Sequence, residues 1–385
     1  MKSIVKNVYY VGVNDYDVDY FEGQFSVPDG MSYNSYLIID EKIAVVDSVD
    51  VNFGEKWISN IKERLKGRTP DYLIVQHMEP DHSASIDCFV REFPEAKIVT
   101  NSRAKAMIDL YFNGMDFDYE EVKDGDVLNL GQHELSFISA PMVHWPEVMF
   151  TYDAFSKILF SADAFGKFGA LGMDEDWTCE ARRYYFGIVG KFGAQVQAVL
   201  KKVSALKIDV ICPLHGPILT EDLDYYINLY NVWSSYGVEN NGVVIAYTSV
   251  YGNTKMAVET LKDKLEQTGC KKVVVTDLVR EDIYEAVEDA FRYGKLVLAT
   301  TTYNGGIFPK MQEFIEHLLS RNYQNRTIGF IENGSWAPVA ANAMKAMFEK
   351  SKNITFIDST VKIRASMKEE NLKEIEALAD ALVKN

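Results

Sequence analysis

What this chain lacks narrows its class first. Only four cysteines occur in 385 residues, Cys88, Cys179, Cys212 and Cys270. No two form a Cys-x-x-Cys pair, so neither a disulfide framework nor an iron–sulfur or rubredoxin module is encoded. No apolar run approaches the length needed to span a bilayer, and residues 1–8 lack the apolar stretch of a signal peptide. A cytoplasmic protein without membrane contact is the expectation. Cations are also in deficit: 40 Lys and Arg stand against 56 Asp and Glu, a net charge of −16. Nucleic-acid binding, which needs clustered cations, does not fit that balance. The two signs balance at 19 each over residues 241–385, so the whole excess of acid lies in residues 1–240.

Histidine is scarce too, but five of the six lie in that acidic part. The sequence His77-Met78-Glu79-Pro80-Asp81-His82 puts four metal-binding side chains into six residues, directly after the apolar run Tyr72-Leu73-Ile74-Val75. It is similar to the His-x-His-x-Asp-His motif of metallo-β-lactamase-like hydrolases, with Glu79 at the second histidine. Exchanging an imidazole for a carboxylate there suits non-haem iron better than a hydrolytic zinc site. Further candidates also follow strand-like runs: His144 after residues 135–140, Asp163 after 158–162 and His215 after 210–214. Strand ends along one edge converge readily, and a pair of metals needs about six or seven ligands. His77, Glu79, Asp81, His82, His144, Asp163 and His215 supply seven. A lone histidine is usually a satisfied core residue, so the constellation carries the argument. His133 and His317 are read as surface or structural, and Tyr20, Tyr33 and Trp145 as neighbours of the site or core packing.

A second signal begins at Val243-Val244-Ile245-Ala246-Tyr247, a buried strand running into Thr248, Ser249, Val250, Tyr251, Gly252, Asn253 and Thr254 before an amphipathic helix. Hydroxyls of Thr248, Ser249 and Thr254, with N–H groups freed at the helix start, form a phosphate cradle that needs no Lys or Arg. No Gly-Lys-Ser/Thr and no Gly-x-Gly-x-x-Gly is present there, so a mononucleotide fits better than a nucleoside triphosphate or a dinucleotide. Two more strand-to-loop transitions follow, at Thr300, Thr301, Thr302, Tyr303, Asn304, Gly305 and Gly306, and at Asn333, Gly334, Ser335, Trp336 and Ala337. They fall where a doubly wound parallel sheet binds ligands, and Tyr303 and Trp336 are placed to flank a flat ring. Together the three loops read as a flavin mononucleotide (FMN) site.

The expected domains are 1–240 and 241–385, with a helix over 221–236. In the first, runs at 36–39, 43–46, 72–75 and 97–100 read as strands and 177–206 as largely helical, which suits an αβ/βα sandwich. In the second, runs at 243–247, 273–275, 296–299, 328–331 and 354–357 alternate with helices, giving a five-stranded parallel sheet.

These motifs resemble the flavodiiron proteins over essentially the whole chain. The resemblance implies a metallo-β-lactamase-like diiron domain followed by a flavodoxin-like FMN domain. It places His77, Glu79 and His144 on one iron, Asp81, His82 and His215 on the other, and Asp163 between them, with the interval from Asp163 to His215 somewhat short for the family. The implied activity is reduction of O2 to water, of NO to N2O, or both. Implied partners are a rubredoxin-like electron donor or reduced deazaflavin F420, and a second copy in a head-to-tail homodimer or a dimer of dimers. An acidic carrier would be repelled less by the neutral second domain than by the first. Two rivals stand beside this reading: a zinc hydrolase fused to a flavodoxin-like module, and an electron-transfer flavoprotein with a degenerate metal domain.

Overall fold

The computed structural model describes residues 3–115, 117–173 and 176–384. The chain divides into two compact units, Met1–Asn231 and Val232–Asn385. The division falls inside the helix Leu223–Ser234.

The first unit is built on two sheets. One runs in the order Ser3–Val5, Val8–Tyr10, Tyr36–Ile39, Ile43–Val46, Tyr72–Ile74, Lys97–Thr100, Tyr119–Glu121, and its last four strands are parallel. The other runs Val127–Asn129, Glu134–Ser139, Met149–Asp153, Ile158–Phe160, Val210–Cys212, with only the last pair parallel. Their facing sides supply one core, in which Tyr36, Val46 and Ile74 of the first sheet join Phe137, Phe160 and Cys212 of the second. The rings of Tyr36 and Phe160 meet across it at 5.3 Å. The outer side is covered by helices such as Gly54–Leu65, whose buried residues Trp57, Ile58, Ile61 and Leu65 recur at helical spacing. Trp57 is fully buried and its indole N–H donates to Ser35 Oγ at 2.9 Å, so truncating it to alanine costs about 3–5 kcal/mol.

The strands expected at 36–39, 43–46 and 97–100 have those bounds, and 72–75 ends one residue earlier. The region 177–206 is helical but broken: α-helix Trp177–Tyr184 passes through a π-turn at Tyr185–Val189 and a 3-10 turn at Gly190–Phe192 into Gly193–Val203. Several strands escape the sequence, among them Val8–Tyr10, Tyr119–Glu121 and the hairpin pair Tyr20–Phe21 and Phe25–Ser26. Two or three residues are too few to show a period of two.

The second unit is a parallel sheet ordered Val273–Asp277, Asn240–Tyr247, Tyr293–Tyr303, Arg326–Asn333, Ile354–Ile363, with Gly306–Ile307 paired antiparallel to its central strand. Central strands are covered on both faces, which is why they read as unbroken apolar runs. Helix Asn253–Gln267 lays Ala257, Val258, Leu261 and Leu265 on one face of it, beside Ile375, Leu378 and Leu382 of helix Glu369–Lys384. Among the described residues no helix is long and apolar enough to cross a membrane.

Candidate functional site

The seven predicted metal-binding side chains lie in the segments that follow the strands Tyr72–Ile74, Glu134–Ser139, Ile158–Phe160 and Val210–Cys212. His77 stands three residues beyond Tyr72–Ile74, after which Pro80 opens a short helix, Pro80–Ser83, that carries Asp81 and His82 in its first turn. Ser48 fixes that turn, donating to the His82 carbonyl through both N–H (3.0 Å) and Oγ (2.7 Å). Parallel pairing sets Phe160 opposite Cys212, and Asp163 and His215 each follow three residues later. Asp163 lies between two non-glycine residues with positive φ, Ala162 at 47° and Phe165 at 67°. Such conformations are costly and cluster where a side chain must be aimed.

The seven form two clusters, His77, Glu79, His144, Asp163 and Asp81, His82, His215. In the first, Glu79 Oε2 lies 3.3 Å from His77 Nε2 and 3.0 Å from His144 Nε2, while Asp163 Oδ2 lies 3.4 and 3.0 Å from the same nitrogens. In the second, Asp81 Oδ2 lies 3.3 Å from the Nε2 atoms of both His82 and His215. Asp163 Oδ1, the other oxygen of that carboxylate, is 3.4 Å from His82 Nε2. Donors about 2.0–2.2 Å from a common ion stand about 3.0–3.5 Å from one another, so the spacing fits one ion per cluster.

The donor chemistry fits as well. His82 Nε2 and His215 Nε2 face each other at 3.0 Å, an arrangement in which two neutral lone pairs would repel unless a cation or a proton lies between them. Both oxygens of Asp81 and Asp163 Oδ1 are buried without hydrogen-bond partners. Buried carboxylate oxygens without hydrogen bonds are expensive, and a shared cation would remove that cost. Aromatic edges close the pocket: Phe21, Tyr33 and Tyr184 pack on His215 at 5.4, 6.1 and 5.4 Å, and Trp145 on His77 at 5.3 Å. Tyr20 is exposed and makes no such contact.

In the second unit a cavity of about 650 Å³ opens at the carboxyl edge of the sheet. Ser249, Val250, Tyr251, Asn253, Thr254, Thr301, Thr302, Tyr303, Asn304, Gly305, Asn333, Gly334, Ser335, Trp336 and Ala337 line it, joined by Ala365, which the sequence did not suggest. Thr248, Gly252, Thr300 and Gly306 do not. Thr248 is fully buried beneath it, its hydroxyl 2.6 Å from that of Thr300. Gly252, at φ 90°, turns the chain into the helix, and Ser249 Oγ accepts from the N–H of Lys255. Thr254 Oγ1 is buried without a partner, and Tyr251, Tyr303 and Trp336 stand exposed at the rim.

Two family models match the chain in turn, the ODP family beta lactamase over residues 31–216 and a flavodoxin domain over 244–370. A nitric oxide reductase of Moorella thermoacetica is 32% identical over 84% of this chain and 83% of its own length. An uncharacterized protein of Methanocaldococcus jannaschii is 32% identical over 97% of this chain and 95% of its own. The flavodiiron protein of Giardia intestinalis superposes with a TM-score of 0.87 at 26% identity, covering 99% of this chain and 96% of that one. The chain belongs to the flavodiiron proteins. It is accordingly a diiron oxidoreductase with an FMN-binding flavodoxin module.

Some residues that shape the centre of this flavodiiron protein escaped the sequence reading. Glu147, 2% exposed, accepts from His77 Nδ1 at 2.8 Å and from the Met78 N–H at 2.9 Å. The Ser32 carbonyl accepts from His215 Nδ1 at 2.7 Å. Asp47, fully buried, accepts from the N–H of Gln76 at 2.7 Å and from its side-chain amide at 2.9 Å. Its pKa is pushed up to about 6 by burial, against the pull of those hydrogen bonds. Asp47 ends the strand-like run 43–46 just as the ligands end theirs, a signal that could have found it. His133, read as surface or structural, is structural: it is fully buried, with Nδ1 2.7 Å from Asp153 Oδ2 across a hairpin. His317 is partly exposed beside Tyr284.

Without metal, the clustered carboxylates hold protons on the imidazoles. Burial lowers the histidines, but Asp163 and its neighbours outweigh it, raising His144 to about 9 and His77 well above its usual range. Burial raises Asp163, yet His77, His144 and His82 hold it well below the usual carboxylate range. Metal ligation needs neutral imidazoles, so loading the metal-free protein at pH 7 should release protons, visible as a dependence of the calorimetric heat on buffer ionisation enthalpy. The part of the metal-free stability linked to His144 is complete below pH about 6.5 and lost as pH rises through about 9. At the other site, Thr254→Val should weaken FMN binding about 10–100-fold, the worth of one hydrogen bond to a charged group, in a fluorescence titration of the deflavinated protein.

Proposed function

We propose that this flavodiiron protein reduces NO to N2O, O2 to water, or both, at a non-haem diiron centre on residues 1–240, with electrons passed through FMN on residues 241–385. The observation that carries the reading is the single buried carboxylate of Asp163, with one oxygen toward each histidine–carboxylate cluster. When bound, two ferrous ions supply two electrons and reduced FMN two more, matching the four that reduction of O2 to two waters consumes, whereas coupling two NO to N2O takes two.

The chain's own residues hold that chemistry in place. Asp163 sets the spacing of the two positions, Glu79 and Asp81 balance their charge, and the four histidines fix their geometry. Phe21, Tyr33, Tyr184 and Trp145 exclude bulk water. The Tyr184 hydroxyl, buried with no partner, is a hydrogen-bond donor not otherwise engaged and lies in the field of Asp163, Glu79 and Asp81.

The name of the Moorella relative supports NO as a substrate. The family resemblance supports an external donor, a rubredoxin-like protein or reduced deazaflavin F420. The family resemblance supports a cytoplasmic head-to-tail homodimer or dimer of dimers. Metal analysis followed by anaerobic turnover with reduced rubredoxin, reading O2 and NO electrodes separately, tests the proposal. Two Fe per chain and consumption of either gas without peroxide release are expected. Zn with esterase or lactamase activity, or a reducible flavin with no gas consumption, would overturn it in favour of a hydrolase or an electron carrier.

A further inference from the structure

We infer that Glu147 makes the two metal positions unequal, so that the position formed by His77, Glu79 and His144 takes its ion ahead of the one formed by Asp81, His82 and His215. The inference rests on the ligand assignment above and goes beyond it. In donor type the two positions are alike: each has two imidazoles, one carboxylate of its own and one oxygen of Asp163. They differ in Glu22, which hydrogen-bonds to Glu79 of the first position, and in what lies behind the imidazoles.

His77 Nδ1 donates to Glu147 Oε1 at 2.8 Å, a carboxylate oxygen that also accepts the Met78 N–H. Glu147 is itself held in place, since Asn101 Nδ2 donates to its carbonyl at 2.6 Å and Arg103 Nη1 donates to the preceding carbonyl of Pro146 at 2.9 Å. In the other position, His215 Nδ1 donates to a neutral acceptor, the Ser32 carbonyl, and His82 Nδ1 is buried with no partner at all. The other buried carboxylate nearby, Asp47, binds the Gln76 side chain and the N–H groups of Gln76 and His77, and no ring nitrogen. An imidazole backed by an anion is the more basic ligand, because the charge it gives up to a metal is partly restored through the Nδ1–H bond. Only one of the two positions has that support.

The test is a stepwise Co(II) titration of the metal-free, full-length flavoprotein against a competing chelator, read by the visible bands of bound Co(II). Glu147→Gln is the informative variant, because its remaining carbonyl oxygen can still accept both N–H bonds while the charge is gone. Wild type should bind two Co(II) in two separated steps, and the variant should weaken the tighter step about 10–100-fold and leave the other unchanged. Equal effects on both steps, an effect on the weaker step alone, or no effect would overturn the inference. Should the variant fail to fold by circular dichroism, His144→Asn and His82→Asn decide. Loss of the tighter step in the first supports the inference, and its loss in the second overturns it. A wild-type chain binding fewer than two Co(II) would instead overturn the two-metal reading on which this one stands.

Discussion

Asp163→Asn should lower NO and O2 consumption by at least about a hundredfold while FMN stays bound. The expectation follows from where the two oxygens sit. Oδ2 is 3.0 Å from His144 Nε2 and Oδ1 is 3.4 Å from His82 Nε2, one toward each cluster. An amide presents one acceptor and one donor, so one position would meet an N–H where it needs an anion. The loss should exceed the 10–100-fold typical of removing a group behind the ligands, because the variant changes the residue proposed to be shared by both metals. Metal analysis should fall below two ions per chain, and the flavin spectrum should be unaltered because the cavity proposed for it is lined only by residues of the other unit. Turnover within tenfold of wild type, at full metal content, would remove Asp163 from its bridging role.

Stripping the metals should lower the melting temperature of the first unit by about 8–16 °C and leave the transition of the flavin unit in place. An ion present at about a thousand times its Kd stabilises by about 4 kcal/mol, and a domain of this size shifts by about 2–4 °C per kcal/mol. The metal-free centre also retains buried carboxylate oxygens on Asp81 and Asp163 with no hydrogen bond. Differential scanning calorimetry of the chelated and reconstituted protein checks this. A single transition that does not move on chelation would mean that the cluster is satisfied by protons alone.

Much of this was legible in the sequence, and the parts that were not share a physical cause. The five parallel strands of the second unit were readable because strands buried on both faces are long apolar runs, Leu296-Val297-Leu298-Ala299 among them. His77 to His82 was readable because metal chemistry demands several donor types in one short segment. Glu147 was not, since a glutamate three residues after His144 looks like any surface glutamate until the fold turns it under His77. The partner of His133 was hidden for a similar reason: Asp153 is 20 residues away and adjacent only once the hairpin forms. The π-turn at Tyr185–Val189 was hidden because Tyr184, Tyr185 and Phe186 are consecutive buried apolar residues, which leave no period in which the shift could show.

The parallel strands Ile43–Val46, Tyr72–Ile74 and Lys97–Thr100 all finish at the rim that carries Asp47, His77 and Asn101, so all three begin at the opposite rim. There the chain turns through Gly67, at φ 92° with open space where a side chain would start. Lengthening a loop costs little, each doubling adding about 0.6 kcal/mol, and a change at this end lies across the sheet from the ligands. The two rims therefore differ in evolutionary latitude. One is bound to atomic spacing, and the other is free to acquire inserted segments, tags or new contacts without disturbing the chemistry across the sheet.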